Sequence, residues 1–376
     1  MIRPSTRVLV VGAGIGGLAV ARALSSDGHD VSVFEQASGL REGGAAVTLW
    51  SNGTGILAEL GVTLDGAGSN IDVLEQRDFK GNLLLSVDVA RSAKHFGHPH
   101  ICLPRTTLLE RVADGLPEGM IRFSHACDHV SQQDEEIRAT FVAEGSESGD
   151  LLIGADGRNS VVRNYVWDGH PANLSGWATW QGVTPIDTEV TRLSTGVMFV
   201  GPAGLCGLMP AGGGLLQWWF DERWSPDAAE PVSKIADLRQ KFGQWAEPVR
   251  HVLDVVEDAD IGFFPHYRHK VPRVWSKGAV TLMGDAVHSM PPTRAQGANQ
   301  ALEDAFSLSR ALRDRDVTAA LRAYEQSRAP KAAYVSKSAG REDTNEYRPL
   351  MLKLIPNGLA SRFYTTFLKR VSNYLN

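Results

Sequence analysis

The sequence predicts an α/β protein: a parallel-sheet domain interrupted by a β-rich insert and closed by C-terminal helices. Three observations predict it. Arg7–Val11, Leu151–Ala155 and Ala279–Met283 are short apolar runs that read as strands buried on both faces. Helix-period segments separate them, the alternation that builds a parallel sheet. From about 172 to 267 this pattern gives way to short aromatic-rich segments at regular spacing, which suggests an antiparallel sheet. Six of the nine tryptophans (Trp177, Trp180, Trp218, Trp219, Trp224, Trp245) fall in that insert.

Along the chain, Arg7–Val11 leads through a glycine-rich turn into the helical pattern Leu18–Ser26 and a second strand, Val31–Glu35. This is a unit of βαβ size. Ser51–Leu60 reads as a helix with Ser51 or Asn52 as its cap, and residues 70–100 as a hairpin turning at Lys80-Gly81-Asn82. Thr106–Leu116 places Leu108, Leu109, Val112 and Leu116 on one helical face. The insert offers strands at Gly176–Thr184, Thr195–Val200, Leu205–Met209 and Leu215–Phe220, then a helix at Ser233–Trp245. Gly201, Gly204 and Gly207 read as a sheet turn. Gln300–Leu312 and Val317–Ala329 are helical, and the tail from about 345 is apolar-periodic with scattered Lys and Arg.

Composition narrows the function. With 376 residues the chain has room for two or three structural units and a large core. Its net charge of −5 argues against nucleic-acid binding. Cys102, Cys127 and Cys206 show neither zinc spacing nor an even count for a disulfide framework, which points to a reducing, cytoplasmic compartment. The run Val8–Val11 is too short for a signal peptide, and no stretch approaches the ~20 apolar residues that span a bilayer. No histidine–carboxylate cluster has metal spacing, so no metal is expected.

Chemistry concentrates in three glycine-rich turns. The first is Gly12-Ala13-Gly14-Ile15-Gly16-Gly17. Its first glycine makes a tight turn, its second admits a pyrophosphate to the backbone, and its third lets helix and sheet approach. Unpaired N–H groups of the following helix then hold the anion. Glu35 ends the next strand, where a carboxylate accepts from ribose hydroxyls. This Rossmann-like signature does not by itself separate FAD from NAD. The second turn is Gly154-Ala155-Asp156-Gly157-Arg158-Asn159-Ser160-Val161-Val162-Arg163. The third runs from Gly284-Asp285-Ala286-Val287-His288 through Pro291-Pro292 to Gln296-Gly297-Ala298-Asn299-Gln300-Ala301-Leu302-Glu303-Asp304-Ala305. Aspartate at a strand end suits a ribityl or ribose hydroxyl, and the helix starting near Gly297 suits negative charge on a reduced ring.

In this order and spacing the motifs resemble the class A FAD-dependent monooxygenases, the para-hydroxybenzoate and salicylate hydroxylase-like group. Leu40-Arg41-Glu42-Gly43-Gly44-Ala45, Leu103-Pro104-Arg105 and Trp180-Gln181-Gly182 add weaker matches; the family often has Arg where this chain has Gln181. The resemblance implies a GR2-type flavoprotein fold. A discontinuous FAD-binding domain would comprise residues 1–75, 100–172 and 268–345. A substrate-binding β-sheet domain would comprise 76–99 and 173–267, and a C-terminal helical segment 346–376. It assigns to non-covalent FAD the residues Gly12, Gly14, Ile15, Gly17, Glu35, Arg41, Ala45, Arg105, Asp156, Asp285, Gly297, Ala298 and Asn299. Against the substrate it suggests Trp180, Met209, Gln217, Trp219, Pro292 and Arg294.

The implied reaction has NADPH or NADH reduce FAD, and O2 then form a C4a-hydroperoxyflavin. One oxygen passes to an aromatic or electron-rich small molecule by hydroxylation or epoxidation. Tyr267 and His269, with His266 beside them, are candidate bases, and His288 reads as structural. Packing on the flavin domain is the expected role of the tail, so no membrane partner is expected. Oligomeric state and substrate identity are not legible. Where the family commonly has Gly-Gln-Gly, this chain has Ala295-Gln296-Gly297, which matters only if position 295 needs a positive φ. A related FAD-dependent reductase or dehydrogenase, and a redox-inert FAD-binding relative, remain as alternatives.

Overall fold

Val8, Leu9, Val10 and Val11 are all buried, so the strand Arg7–Val11 belongs inside a sheet covered on both faces. In the computed structural model, which describes residues 5–40, 45–133, 136–143, 145–167, 171–228, 231–342 and 345–376, it does so. It sits in a six-stranded sheet in the order Ser276–Lys277, Val280–Leu282, Leu151–Gly154, Arg7–Val11, Asp30–Phe34, Ile121–Arg122. Every pairing is parallel except the edge pair Ser276–Lys277 and Val280–Leu282. The helices Ile15–Ser26 and Gly297–Asp314 pack together on this sheet. They cross so closely that a Cβ at Gly16 would lie 3.1 Å from the Ala301 methyl.

The insert forms a seven-stranded sheet in the order Gly262–Arg268, Asn173–Pro185, Leu215–Arg223, Gly204–Gly212, Thr195–Gly201, Val73–Asp78, Leu83–Asp88. All its pairings are antiparallel except Thr195–Gly201 with Val73–Asp78. The helices Lys234–Phe242 and Glu247–Val255 cover one face. The other face meets a small sheet of Ala46–Leu49, Ile101–Pro104 and Ser69–Asn70.

Several expectations change. The predicted helix 233–245 forms as Lys234–Phe242, three residues shorter at its end, and a second helix, Glu247–Val255 with Pro248 in its first turn, follows it unpredicted. Residues 70–100 hold the expected hairpin and also the helix Ala90–Phe96. The helix after Ser51 is capped by neither Ser51 nor Asn52: Trp50 occupies the cap position without a side-chain bond. Val317–Ala339 runs straight through Pro330, ten residues beyond the expected end. Cys127–Gln133, Glu136–Phe141 and Gly145–Gly149 form a three-stranded sheet that the sequence reading missed. Gly201 and Gly204 do close a hairpin, but Gly207 lies within a strand.

One buried ionic cluster joins the third glycine motif to the helices. Asp304, on Gly297–Asp314, is fully buried. Its Oδ2 accepts from the Gly284 N–H at 2.9 Å and faces His288 Nε2 at 2.6 Å, and its Oδ1 accepts from Arg328 Nε at 2.7 Å. Burial alone would push its carboxyl up; His288 and Arg328 hold it below its ordinary value instead. His288 is therefore structural, as expected. Asp304→Ala leaves the Arg328 guanidinium buried without its anion, and is expected to cost about 3–5 kcal/mol of folding stability in urea denaturation.

Candidate active site

Three turns converge at the C-terminal ends of the parallel strands. Gly12 holds φ +104°, and a Cβ there would lie 2.5 Å from the Ala155 carbonyl oxygen. A Cβ at Gly17 would lie 1.9 Å from the Gly12 oxygen, so neither position admits a side chain. Gly14 differs: a Cβ there meets nothing within 4 Å, so its backbone faces open space. The first helical bond runs from Leu18 N–H to Gly14 C=O at 2.9 Å. The amides of Ile15, Gly16 and Gly17 therefore lack helical partners and make an anion-binding end. Glu35 lies against this turn, accepting from the Ala13 N–H at 2.8 Å and the Ala37 N–H at 2.9 Å. Its carboxylate is fixed, with lone pairs to spare for ribose hydroxyls.

A second helix end opens from the third motif. Gln300 N–H to Gln296 C=O, 2.8 Å, is the first bond there, which leaves the amides of Gly297, Ala298 and Asn299 without helical partners. Gly297 also faces open space. Asp285 follows Gly284, whose φ is +59°, and is exposed with no partner among the described residues. Ala45 and Arg105 meet, the Arg105 N–H donating to the Ala45 carbonyl at 3.3 Å. Arg41 lies outside the described residues. Two anion-binding helix ends, a fixed carboxylate and a solvent-facing aspartate fit a dinucleotide with a ribityl chain.

Two residues assigned to the cofactor turn their side chains to the protein instead. The Asp156 carboxylate accepts from the Ser160 hydroxyl at 2.5 Å and from the amides of Val161 and Val162 at 2.7 and 3.1 Å. It organises the start of the helix Val161–Val166, and burial raises its pKa. The buried Asn299 amide group joins the Trp50 N–H, the Thr48 carbonyl and the Ala295 carbonyl at 2.9–3.0 Å. Ala295 itself has φ +46°, so the position does need the left-handed conformation that glycine adopts freely. The Trp50 indole N–H at 3.0 Å and the Asn299 amide both donate to its carbonyl and hold it there.

On the sheet side, residues directly opposed across strands share a face. Gln181 opposes Trp219, and Val183 and Met209 flank Gln217. Gln217 donates to the Ala46 carbonyl at 3.1 Å, and Met209 sulfur accepts from the Thr48 hydroxyl at 3.2 Å. Trp219 lies over Gly207, where a Cβ would come within 1.9 Å of the indole. Met209, Gln217 and Trp219 thus stand together toward the small sheet. Trp180 does not join them: it packs with Phe263 on the helix-covered face and donates to Glu222 at 2.8 Å. Pro292 is exposed, and Arg294 donates to the Ser338 hydroxyl at 3.2 Å, tying its loop to the helix Val317–Ala339.

None of the candidate bases stands free in the cleft. The Arg158 guanidinium stacks on the Tyr267 ring at 3.9 Å. His266 is buried between Glu342, 2.9 Å from Nδ1, and Thr179, 2.6 Å from Nε2, and the Thr179 hydroxyl donates to Asp221. Burial pushes the Asp221 carboxyl up to about 6. His269 is buried with its ring unpaired among the described residues. Burial, with Arg163, His288 and Arg158 nearby, lowers its pKa to about 4. The sequence reading also missed an aromatic wall. Trp50 stands edge-on to His100 at 5.2 Å and to Tyr364 at 5.4 Å, with Tyr364 supplied by the C-terminal helix Asn357–Val371.

The profile of the family described as FAD binding domain matches residues 5–339. The chain belongs to that family. It is 30% identical over 353 residues to the FAD-dependent urate hydroxylase of Klebsiella pneumoniae subsp. pneumoniae, covering 92% of each chain. It is 33% identical over 349 residues to 3-amino-4-hydroxybenzoate 2-monooxygenase of Streptomyces cremeus, covering 91% of this chain and 88% of that one. Klebsiella pneumoniae HpxO complexed with FAD and uric acid superposes with a TM-score of 0.91 at 27% identity, covering 97% of both chains. A salicylate hydroxylase substrate complex shares the fold, with a TM-score of 0.79 at 21% identity over 97% of this chain and 95% of that one. This family member is a class A flavoprotein monooxygenase by type, an FAD-dependent oxidoreductase. Among its described residues no helix is long and apolar enough to cross a membrane.

Two predictions follow from the site. Ala295→Gly releases a left-handed conformation that costs an L-residue roughly 1–2 kcal/mol and is offset by glycine's freedom when unfolded. The variant is expected to gain up to about 1 kcal/mol in urea denaturation while keeping its FAD. Separately, His100 is also buried, its pKa lowered by desolvation to about 4. The unfolded chain protonates such histidines near pH 6.5 and the folded chain near 4, so the unfolded state binds more protons between those values. Stability is complete above about pH 6.5 and falls toward 4. At about pH 5 each histidine removes about 2 kcal/mol, and His269→Phe should shrink the loss between pH 7.5 and 5 by that amount.

Proposed function

We propose that the chain is an NAD(P)H- and O2-dependent monooxygenase that hydroxylates or epoxidises a small aromatic or electron-rich molecule with non-covalently bound FAD. The observation that carries this is the opposition of two surfaces. The open helix ends at Ile15–Gly17 and Gly297–Asn299 lie with Glu35 and Asp285 on one side. Met209, Gln217 and Trp219 lie on the sheet that packs on the strand Ala46–Leu49, whose Thr48 carbonyl Asn299 also bonds. In this reading residues 1–75, 100–172 and 268–345 carry the cofactor, and 76–99 with 173–267 carry the substrate face.

Bound FAD supplies the redox chemistry, activating O2 so that one oxygen atom reaches the substrate and the other leaves as water. The protein positions and shields that chemistry. Glu35 and the Gly12–Gly17 amides hold the adenosine and pyrophosphate end, Asp285 accepts from the ribityl chain, and the helix at Gly297 favours negative charge on the ring. The Trp219–Met209 face excludes water. A relative that acts on 3-amino-4-hydroxybenzoate, and another named for 6-hydroxynicotinate, support a planar aromatic substrate. Three unpaired cysteines support a reducing, cytoplasmic setting.

The test is a screen of hydroxylated benzoates, pyridines and purines for compounds that accelerate NAD(P)H oxidation and yield an oxygenated product. No product with any compound, despite bound FAD and NAD(P)H oxidation, would favour the reductase reading. With the active compound, Asp285→Ala is expected to keep most of its FAD yet lose product per NAD(P)H, releasing peroxide instead. A ring misplaced by about 1 Å costs on the order of a hundredfold in rate. Wild-type coupling in the folded variant would reject the ribityl assignment.

A further inference from the structure

The C-terminal helices have two different sides. Toward the protein, Asn357–Val371 lies along the strand Leu83–Asp88. The Asn357 side-chain oxygen accepts from the Ser86 N–H at 3.2 Å, and the Ser361 hydroxyl from the Asp88 N–H at 3.0 Å. Ser361, Leu368 and Val371 are buried, and Tyr364 reaches the aromatic wall of Trp50 and His100. This side is the packing that the sequence leads one to expect.

The outward side is apolar. Of the fifteen large hydrophobic side chains exposed among the described residues, seven fall between Tyr347 and Phe363. Leu350 is 79% exposed, Leu354 81% and Phe363 61%. Leu350 and Leu354 are four residues apart, as are Leu359 and Phe363, so each pair shares a helix face. The two bonds to Leu83–Asp88 hold the helix Asn357–Val371 with Leu359 and Phe363 outward. So dense a run on a water-facing surface marks an interaction site.

Charge identifies the partner. From 347 to 376 the sequence has Arg348, Lys353, Arg362, Lys369 and Arg370 and no Asp or Glu. The whole chain carries −5, so the residues before 347 carry −10. Arg348 pairs with Glu346, and Arg370 stacks on the Tyr334 ring at 4.0 Å. Arg362 and Lys369 are exposed without an ion pair among the described residues. A symmetric contact with a second copy would set this basic face against itself. An anionic lipid surface satisfies both components: leucine and phenylalanine enter the acyl boundary while the cations meet headgroups.

We infer that the outward face of residues 347–370 docks the protein on an anionic lipid surface. The Phe363 side contacts lipid while its neighbour Tyr364 packs inward against Trp50 and His100.

The test is sedimentation of the FAD-loaded protein with vesicles of phosphatidylglycerol and phosphatidylcholine in equal parts, and of phosphatidylcholine alone. The protein should pellet with the first and stay in solution with the second. About 0.5 M salt should release it, because each cation near an anionic surface is worth about fivefold in binding. Leu354→Asp with Phe363→Asp, both at exposed positions, should lower binding at least about tenfold. Its flavin absorbance and circular dichroism should be unchanged. Equal binding by variant and wild type, or no preference for anionic vesicles, overturns the inference. So does a wild-type dimer in light scattering that the variant converts to monomer without vesicle binding, which assigns the face to a second copy.

Discussion

The site is built around the Asp304 carboxylate. An unpaired anion at zero exposure is prohibitively costly, so its environment must supply donors from every direction. They come from two parts of the chain: the third glycine motif gives the Gly284 amide and His288, and the helix Val317–Ala339 gives the Arg328 guanidinium. Such a cluster is weak evidence of net stability, but it allows little freedom of arrangement. Gly284 is held in its left-handed turn, and Asp285 is thereby turned outward. Arg328 also donates to the Gln300 side chain at 2.7 Å, which fixes the start of the same helix whose open amides face the cleft. The placement of Asp285 and of the open helix end at Gly297 traces to one buried charge.

The seven-stranded sheet is seated by different means. Gln217 and Met209 bond across to Ala46 and Thr48, while Glu342, itself at φ +50°, reaches back to His266. These contacts tie the sheet to the strand Ala46–Leu49 on one side and to the end of Val317–Ala339 on the other. The loop carrying Ala295 lies between them, clamped by Trp50, Asn299, and Thr293 bonded to the Ala339 carbonyl at 2.9 Å. A backbone conformation that alanine disfavours persists because its surroundings determine it from several sides.

What was legible in the sequence follows physical locality. The Gly12–Gly17 turn, Glu35, the strand before Asp156 and the helix after Gly297 depend on residues close in the chain, and sequence spacing located them. The Trp180-Gln181-Gly182 match does not say which face of its strand meets the cleft, because successive side chains alternate, so Trp180 was grouped with residues it does not join. The sheet Cys127–Gln133, Glu136–Phe141, Gly145–Gly149 is largely polar and half-exposed, and left no strong apolar period. His266 finds Glu342 across 76 residues, and Trp50 finds Tyr364 across more than three hundred. No local pattern encodes those meetings. Asp156 carries a family motif, yet its carboxylate serves its own turn, and only coordinates separate those roles.

The bare backbone at Gly207 carries one more consequence. Because the Trp219 indole lies where a side chain at 207 would begin, the two positions compete for the same volume. Even a methyl group at 207 would displace the indole. The height of the face that this sheet presents is thus a property of the pair and not of either residue. A lineage that shifts to a bulkier or slimmer ring has to change both positions together, so divergence in ligand size should leave a correlated substitution at 207 and 219.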